Sequence, residues 1–144
     1  MLREAEVDDA AAIQKLNATE MGYNYTLTAT RQALASILGS PRQHFIRVFD
    51  DPVTKEALAY IHAQVMERTF SDPVFNVSAL VVSHAYNTAD LAQKLLTSLE
   101  KLGRRRNIRI IRLDFALPRD SELRDFLAQK QFEPGEDGFL RLEF

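Results

Sequence analysis

The stretch 75–102 constrains the fold most: strand-type residues (FNVSALVV) run through a polar loop, SHAYNTAD, into an amphipathic helix. Residues 74–82 become apolar on both faces toward their end, which predicts a strand central to a sheet. Leu91, Leu95, Leu99 and Leu102 then recur at helical spacing and predict one buried stripe. A strand feeding a helix through a short loop is a common phosphate site, because first-turn N–H groups lack intrahelical partners and point outward. This loop has that layout without glycine, lysine or arginine, and Asp90 puts a carboxylate near the helix start.

Around this unit, residues 2–6 read as a strand. Val7-Asp8-Asp9 offers the cap of a helix over 10–17 that ends near Gly22. Thr28 or Thr30 is predicted to cap a second helix with Leu34, Ile37 and Leu38 as its stripe, stopped by Gly39-Ser40-Pro41. Residues 44–50 and 57–66 read as antiparallel strands joined through Asp50-Asp51-Pro52. The spacing Asp90-Leu91-Ala92-Gln93 predicts a capping box for the third helix, and Gly103 predicts its end. A strand follows at 108–115, then a break at Pro118 and a helix over 121–130 capped by Ser121 or Asp120. Glu136-Asp137-Gly138 predicts a hairpin between Phe132 and a last strand at 139–144. The order gives an α/β (α+β) class: a mixed, mostly antiparallel sheet flanked by about four helices.

A chain of 144 residues with 46% hydrophobic and 26% charged residues predicts one domain, 1–144, with a full core. Without cysteine there is no disulfide framework, thiolate zinc site or cysteine nucleophile. The three histidines include no i, i+4 pair, so no metal site is predicted. Charges in MLREAEVDD and the lack of a long apolar run predict a cytoplasmic protein with no membrane partner. A net charge of -2 predicts no nucleic-acid partner, and Arg104, Arg105 and Arg106 read as a helix end whose dipole suits cations.

Val82-Ser83-His84-Ala85-Tyr86-Asn87-Thr88-Ala89-Asp90-Leu91-Ala92, running into Leu95-Leu96, resembles the central motif of the GCN5-related N-acetyltransferase (GNAT) superfamily, V-x-P-x-Y-R-G-x-G-x-G/A. Phe126 and Phe132 match its C-terminal A-x-x-F-Y-x-x-x-G-F, Ala59-Tyr60-Ile61-His62-Ala63 resembles its third strand, and Met21-Gly22-Tyr23 resembles an acceptor-wall segment. The resemblance implies a splay between the strands at 74–82 and 108–115, with pantetheine in the gap on the backbone of Leu80, Val81 and Val82. It implies a pyrophosphate on N–H groups of Asn87, Thr88, Ala89, Asp90, Leu91 and Ala92. The implied cofactor is acetyl-CoA, and the acceptor a primary amine of a small molecule or peptide that attacks the thioester directly. Homodimers are common in the superfamily.

Several residues depart from the family pattern. Asn87 replaces a cation or amide donor, Thr88 a glycine suited to positive φ, and Asp90 a glycine at the helix start. A carboxylate about 4 Å from a phosphate oxygen costs about 4 kcal/mol at an effective dielectric near 20. Leu127 stands where the family often has the tyrosine that protonates the departing thiolate. A thiol pKa near 8.5 makes that loss a slowing rather than an abolition. Gln131, at a family glycine, carries no catalytic inference. His62, sharing a strand face with Tyr60 and Gln64, and Glu67, at the far end of that strand, are the candidate bases. Each also reads as an ordinary strand residue, hydrogen-bonded or solvated. Asn76 and Ser78 read as acceptor-site polar groups on the face of Leu80 and Val82, Tyr23 and Tyr25 as acceptor-mouth residues, and His84 as structural. Two functions stay open: an acetyl-CoA-dependent N-acetyltransferase, or a noncatalytic domain of the same fold that binds a partner or another ligand.

Overall fold

The computed structural model describes residues 1–117 and 121–144. Strand β1 (Leu2–Glu4) leads through a 3-10 turn into α1 (Ala10–Met21) and α2 (Leu27–Leu38). Strands β2 (His44–Asp50), β3 (Ala57–Met66) and β4 (Val74–Val82) follow, then α3 (Thr88–Arg106), β5 (Ile110–Leu113), α4 (Glu122–Gln129), β6 (Glu133–Pro134) and β7 (Leu140–Glu143). They form a seven-stranded sheet in the order β1-β2-β3-β4-β5-β7-β6, antiparallel throughout except between β4 and β5.

Alternation along the strands separates two apolar layers. On one face Ile61, Phe75, Val77 and Leu80 pack against Leu91, Leu95 and Leu99 of α3 and Leu123 and Leu127 of α4. On the other, Ile46, Val48, Tyr60 and Val81 pack against Ile13 and Leu16 of α1 and Leu34 of α2. Each fully buried leucine contributes about 1.5–3 kcal/mol, so the α3 stripe is what fixes that helix against the central strands.

One irregularity in β4 decides which side chains share a face. His62 pairs with Ala79 but Ala63 pairs with Val77, so Ser78 is an extra residue on β4. The bulge shifts the alternation by one: Phe75 and Val77 before it and Leu80 and Val82 after it all join the α3/α4 core. Asn76 therefore lies on the opposite face from Leu80 and Val82, which corrects the expectation that the two sets align. Its amide donates to Asp114 Oδ2 at 3.2 Å and accepts from Arg112 Nη1 at 2.5 Å.

The helix ends differ from expectation in ways that matter to the site. Thr26, not Thr28 or Thr30, caps α2, accepting from Ala29 N–H at 3.1 Å. Gly103 does not end α3, which runs to Arg106 and stops at Asn107 in the left-handed region with φ 57°. Gly103 is needed for closeness instead: a Cβ there would overlap the Ile108 carbonyl oxygen and come within 2.6 Å of the Phe144 ring. Ser121 does cap α4, accepting from Arg124 N–H at 3.0 Å. The expected strand over 108–115 shortens to Ile110–Leu113. Pro118 and Asp120 lie outside the described residues.

Tyr60 and His62 are polar members of the face under α1 and α2. Burial pushes the Tyr60 phenol up to about 12, and its hydroxyl donates to Asn17 Oδ1 at 2.5 Å. Burial first, and His44 second, push His62 down to about 4.

Two outcomes follow for stability. Gly103→Ala gains helix propensity but meets the Ile108 carbonyl, so thermal denaturation should show a net loss of about 2 kcal/mol or more. His62 binds fewer protons folded than unfolded between its folded value of about 4 and its ordinary value of 6.5. Its contribution is present above pH 6.5 and is lost as pH falls toward 4. Wild-type melting temperature should drop across that window, and His62→Gln should drop less; parallel curves would contradict a buried neutral imidazole.

Candidate functional site: a gap between β4 and β5

Parallel pairing between β4 and β5 covers Phe75, Asn76 and Val77 only, opposite Ile111, Arg112 and Leu113. Its last hydrogen bond runs from Asp114 N–H to the Val77 carbonyl at 2.7 Å. Beyond it β4 continues to Val82 while β5 has ended, so the two strands part as the resemblance implies. Ser83 N–H donates to the Leu58 carbonyl at 2.8 Å and sets the alternation of the antiparallel ladder. Val81 therefore turns its N–H and C=O toward Tyr60 on β3, whereas Leu80 and Val82 turn theirs toward the gap. A cleft of about 290 Å³ opens there, lined by Leu80, Val82, Glu20, Thr88, Glu122 and Leu123 among others.

Helix α3 begins at the cleft. Asn87 is its cap, and the Oδ1 of Asn87 accepts from Asp90 N–H at 3.0 Å. This replaces the expected capping box. Because the helix starts at Thr88, Asp90 is its third residue, and its half-exposed carboxylate reaches forward to Lys94 Nζ at 3.1 Å. Gln93 likewise turns along the helix, donating to Thr97 Oγ1 at 2.8 Å. Thr88 sits in ordinary helical backbone with its side chain buried, so no glycine is required at that position. The N–H groups of Thr88 and Ala89 precede the first intrahelical hydrogen bond, from Leu91 N–H to the Asn87 carbonyl.

The charge around the cleft is acidic. Glu20, at the end of α1, has a side chain only 14% exposed and accepts from His84 N–H at 3.0 Å, with His84 Nδ1 at 2.7 Å. Glu122 joins it from the start of α4. The described lining residues include no lysine or arginine.

The expected chemical residues divide sharply. His62 lies beside the fork, its Nδ1 3.0 Å from Ser78 Oγ and its Nε2 3.0 Å from His44 Nδ1. Glu67 does not join it. It stands past the end of β3, near the Met66–Val74 pair, six residues beyond the Ile61–Leu80 pair. At 3.3 Å per residue that is about 20 Å from the gap. Leu127 is fully buried in the core beneath α4 and takes no part in lining the cleft. Tyr23 is exposed, and Tyr25 helps enclose a cavity of about 130 Å³ between α1, α2 and β3, together with Asn17, Thr30, Tyr60 and His62.

Two residues were missed in the sequence. Glu20 directly precedes the Met21-Gly22-Tyr23 segment already singled out, but only the end of α1 docking on the β4 loop gives it a role. His44 becomes His62's neighbour through the β2–β3 register, which pairs His44 with Gln64 and Ile46 with His62. Among the described residues no three His, Asp or Glu side chains are placed to hold a metal ion, and no helix is long and apolar enough to cross a membrane.

Neither a family model nor a curated protein matches the chain in sequence. Solved structures do match it. A transcriptional regulator from Bacillus halodurans superposes with a TM-score of 0.79 at 16% identity, covering 100% of this chain and 97% of its own. A putative acetyltransferase of the GNAT family from Desulfovibrio desulfuricans gives 0.74 at 12% identity, covering 99% and 98%. An N-acetyltransferase, PaiA, from Thermoplasma acidophilum, solved with coenzyme A, gives 0.73 at 12% identity, covering 100% and 98%. At these identities the likeness is one of architecture, and the chain has the GNAT acetyltransferase fold.

Proposed function

We propose that this chain is an acetyl-CoA-dependent N-acetyltransferase that transfers an acetyl group directly to a primary amine of a small molecule or peptide. The observation that carries the reading is the combination at the fork. The N–H and C=O groups of Leu80 and Val82 face a gap that β5 does not fill, and the N–H groups of Thr88 and Ala89 open onto the same region. Together they are a backbone edge for a pantetheine amide beside a helix start for phosphate. Such contacts survive side-chain change, which is how the loop can lack glycine, lysine and arginine and still serve. The likeness in fold to the protein from T. acidophilum, solved in complex with coenzyme A, supports a coenzyme A ligand.

Acetyl-CoA supplies an activated thioester. This chain's part is to hold it against the Leu80 and Val82 backbone, whose N–H groups suit a developing oxyanion. Its acidic cleft, with Glu20 and Glu122, draws in and orients a cationic amine. Leu127 provides no phenol, so the thiolate departs with solvent as its proton source.

The second reading is a noncatalytic binding domain of this fold. It is favoured by the same acidic lining, which repels a pyrophosphate, together with Asp90 at the helix start. Asp90 weighs less than the bare sequence implies, because its carboxylate is 55% exposed and paired with Lys94. Solvent and the lysine both screen it.

Calorimetric titration with acetyl-CoA separates the readings. Wild type should bind with a Kd between about 10 μM and 1 mM, and Asp90→Asn should tighten it tenfold or less. Asn87→Ala should lose about 1 kcal/mol of stability and weaken binding, because the cap that orders the first turn is gone. Absence of heat at millimolar acetyl-CoA from both wild type and Asp90→Asn would discard the enzyme in favour of the binding domain.

A further inference from the structure

Ser78, His62 and His44 form a continuous polar line across three strands, from β4 through β3 to β2. Ser78 Oγ lies 3.0 Å from His62 Nδ1, and His62 Nε2 lies 3.0 Å from His44 Nδ1. The two imidazole rings are stacked, with centroids 5.2 Å apart. Each end of the line opens outward. Ser78 is exposed and is the bulged residue immediately after Val77, the last residue of β4 paired with β5. His44 lines a separate cleft of about 300 Å³ at the surface between α2 and the start of β2, with Glu4, Arg47 and Arg106 as its charged members. His62 in the middle is half-buried.

We propose that this line is a proton relay that carries the proton shed by the acceptor amine from the fork through the sheet to solvent. The inference rests on the acetyl-transfer reading above. In the reaction the ammonium drawn to the cleft first loses one proton to solvent; the neutral amine nitrogen then bonds to the thioester carbonyl carbon, the carbon–sulfur bond breaks, coenzyme A leaves as its thiolate, and the nitrogen gives up a second proton. That proton passes to Ser78 Oγ as the serine's own proton passes to His62 Nδ1. The Nε2 proton of His62 moves to Nδ1 of His44, and the resulting His44 imidazolium releases a proton into the solvent-facing cleft.

The lowered affinity of His62 for protons is compatible with this role, which the hydrogen-bonded geometry carries. An imidazole held down to about 4 stores no proton, but it can accept at one nitrogen while donating from the other. Glu20 and Glu122 lie toward the far end of the gap, on the loop and α4 side, and do not interrupt the line. The bulge is what makes the chain continuous, since Ser78 bonds His62 although Ala79 is the residue paired with it. His62 and Ser78 are the candidates that touch substrate or its proton, and His44 is a positioning and exit residue.

The test has two arms. In the free protein, 15N spectra of the imidazoles read the tautomers directly. Ser78→Ala should move the resonances of both His62 and His44, because one proton arrangement is shared along the line; a His44 spectrum untouched by that change would overturn the relay. In the second arm, acetyl transfer from acetyl-CoA to n-butylamine is followed from pH 6 to 9. His62→Gln and Ser78→Ala should each lower kcat/KM for the amine about 10- to 100-fold with KM for acetyl-CoA unchanged. The double variant should be no worse than either single one, His44→Gln should shift the pH profile, and Ser78→Thr should restore most of the rate. Wild-type turnover with losses that multiply, or with none, overturns the relay and leaves acetyl transfer standing. Intact folding without acetyl-CoA binding or turnover in wild type overturns both.

Discussion

The parallel ladder between β4 and β5 ends on one hydrogen bond, from Asp114 N–H to the Val77 carbonyl at 2.7 Å, and the site depends on what happens after it. Had the ladder continued, the backbone groups of Leu80 and Val82 would be satisfied and the centre of the sheet would be closed. Because β5 stops at Leu113, no strand among the described residues pairs with those groups, and a buried amide costs about 1–3 kcal/mol unless something bonds it. The Ser78 bulge sits at the same point. It keeps Leu80 and Val82 on the α3/α4 core face while bringing a serine hydroxyl to His62. The proposed cofactor edge and the proposed proton path thus share one interruption in the sheet.

The two faces of the sheet divide the work. The α3/α4 side supplies the helix start at Thr88 and the leucine stripe that holds α3 against β4. The α1/α2 side supplies Asn17, Tyr25, Tyr60 and His62 around a small, mostly apolar cavity. On the proposed function, a thioester reaching through the gap from the first side meets an amine arriving from the second. The acidic residues at the rim, Glu20 and Glu122, favour the cation over the polyanion. Backbone N–H groups are then the principal anion donors that the described part of the cleft offers.

The order of elements was legible from local pattern, since long periodic segments such as the α3 stripe and the strands at 44–50, 57–66 and 74–82 declare their type without tertiary context. Cap positions were not, because Thr26, Thr28 and Thr30, or Asn87 and Asp90, are chemically alike and only backbone geometry chooses between them. Gly103 was misleading for a related reason: glycine ends helices and also permits close packing, and here the turn back through Ile108 demands the second. The site was only half visible. Strand alternation places His62 with Tyr60, but a bulge has no signature in FNVSALVV, so alternation alone puts Asn76 on the wrong face. Glu67 was attractive as an acid on the right strand, yet strand length puts it about 20 Å away.

In the proposed function the backbone beyond Val77, which no described strand pairs, receives the cofactor, rather than any side chain. Amide chemical-shift mapping on adding coenzyme A tests it directly. The account predicts that the N–H resonances of Leu80, Val82, Thr88 and Ala89 move together while that of Val81, bonded toward β3, moves least. Saturable shifts confined to other regions, or equal movement of Val81 with its neighbours, would contradict it.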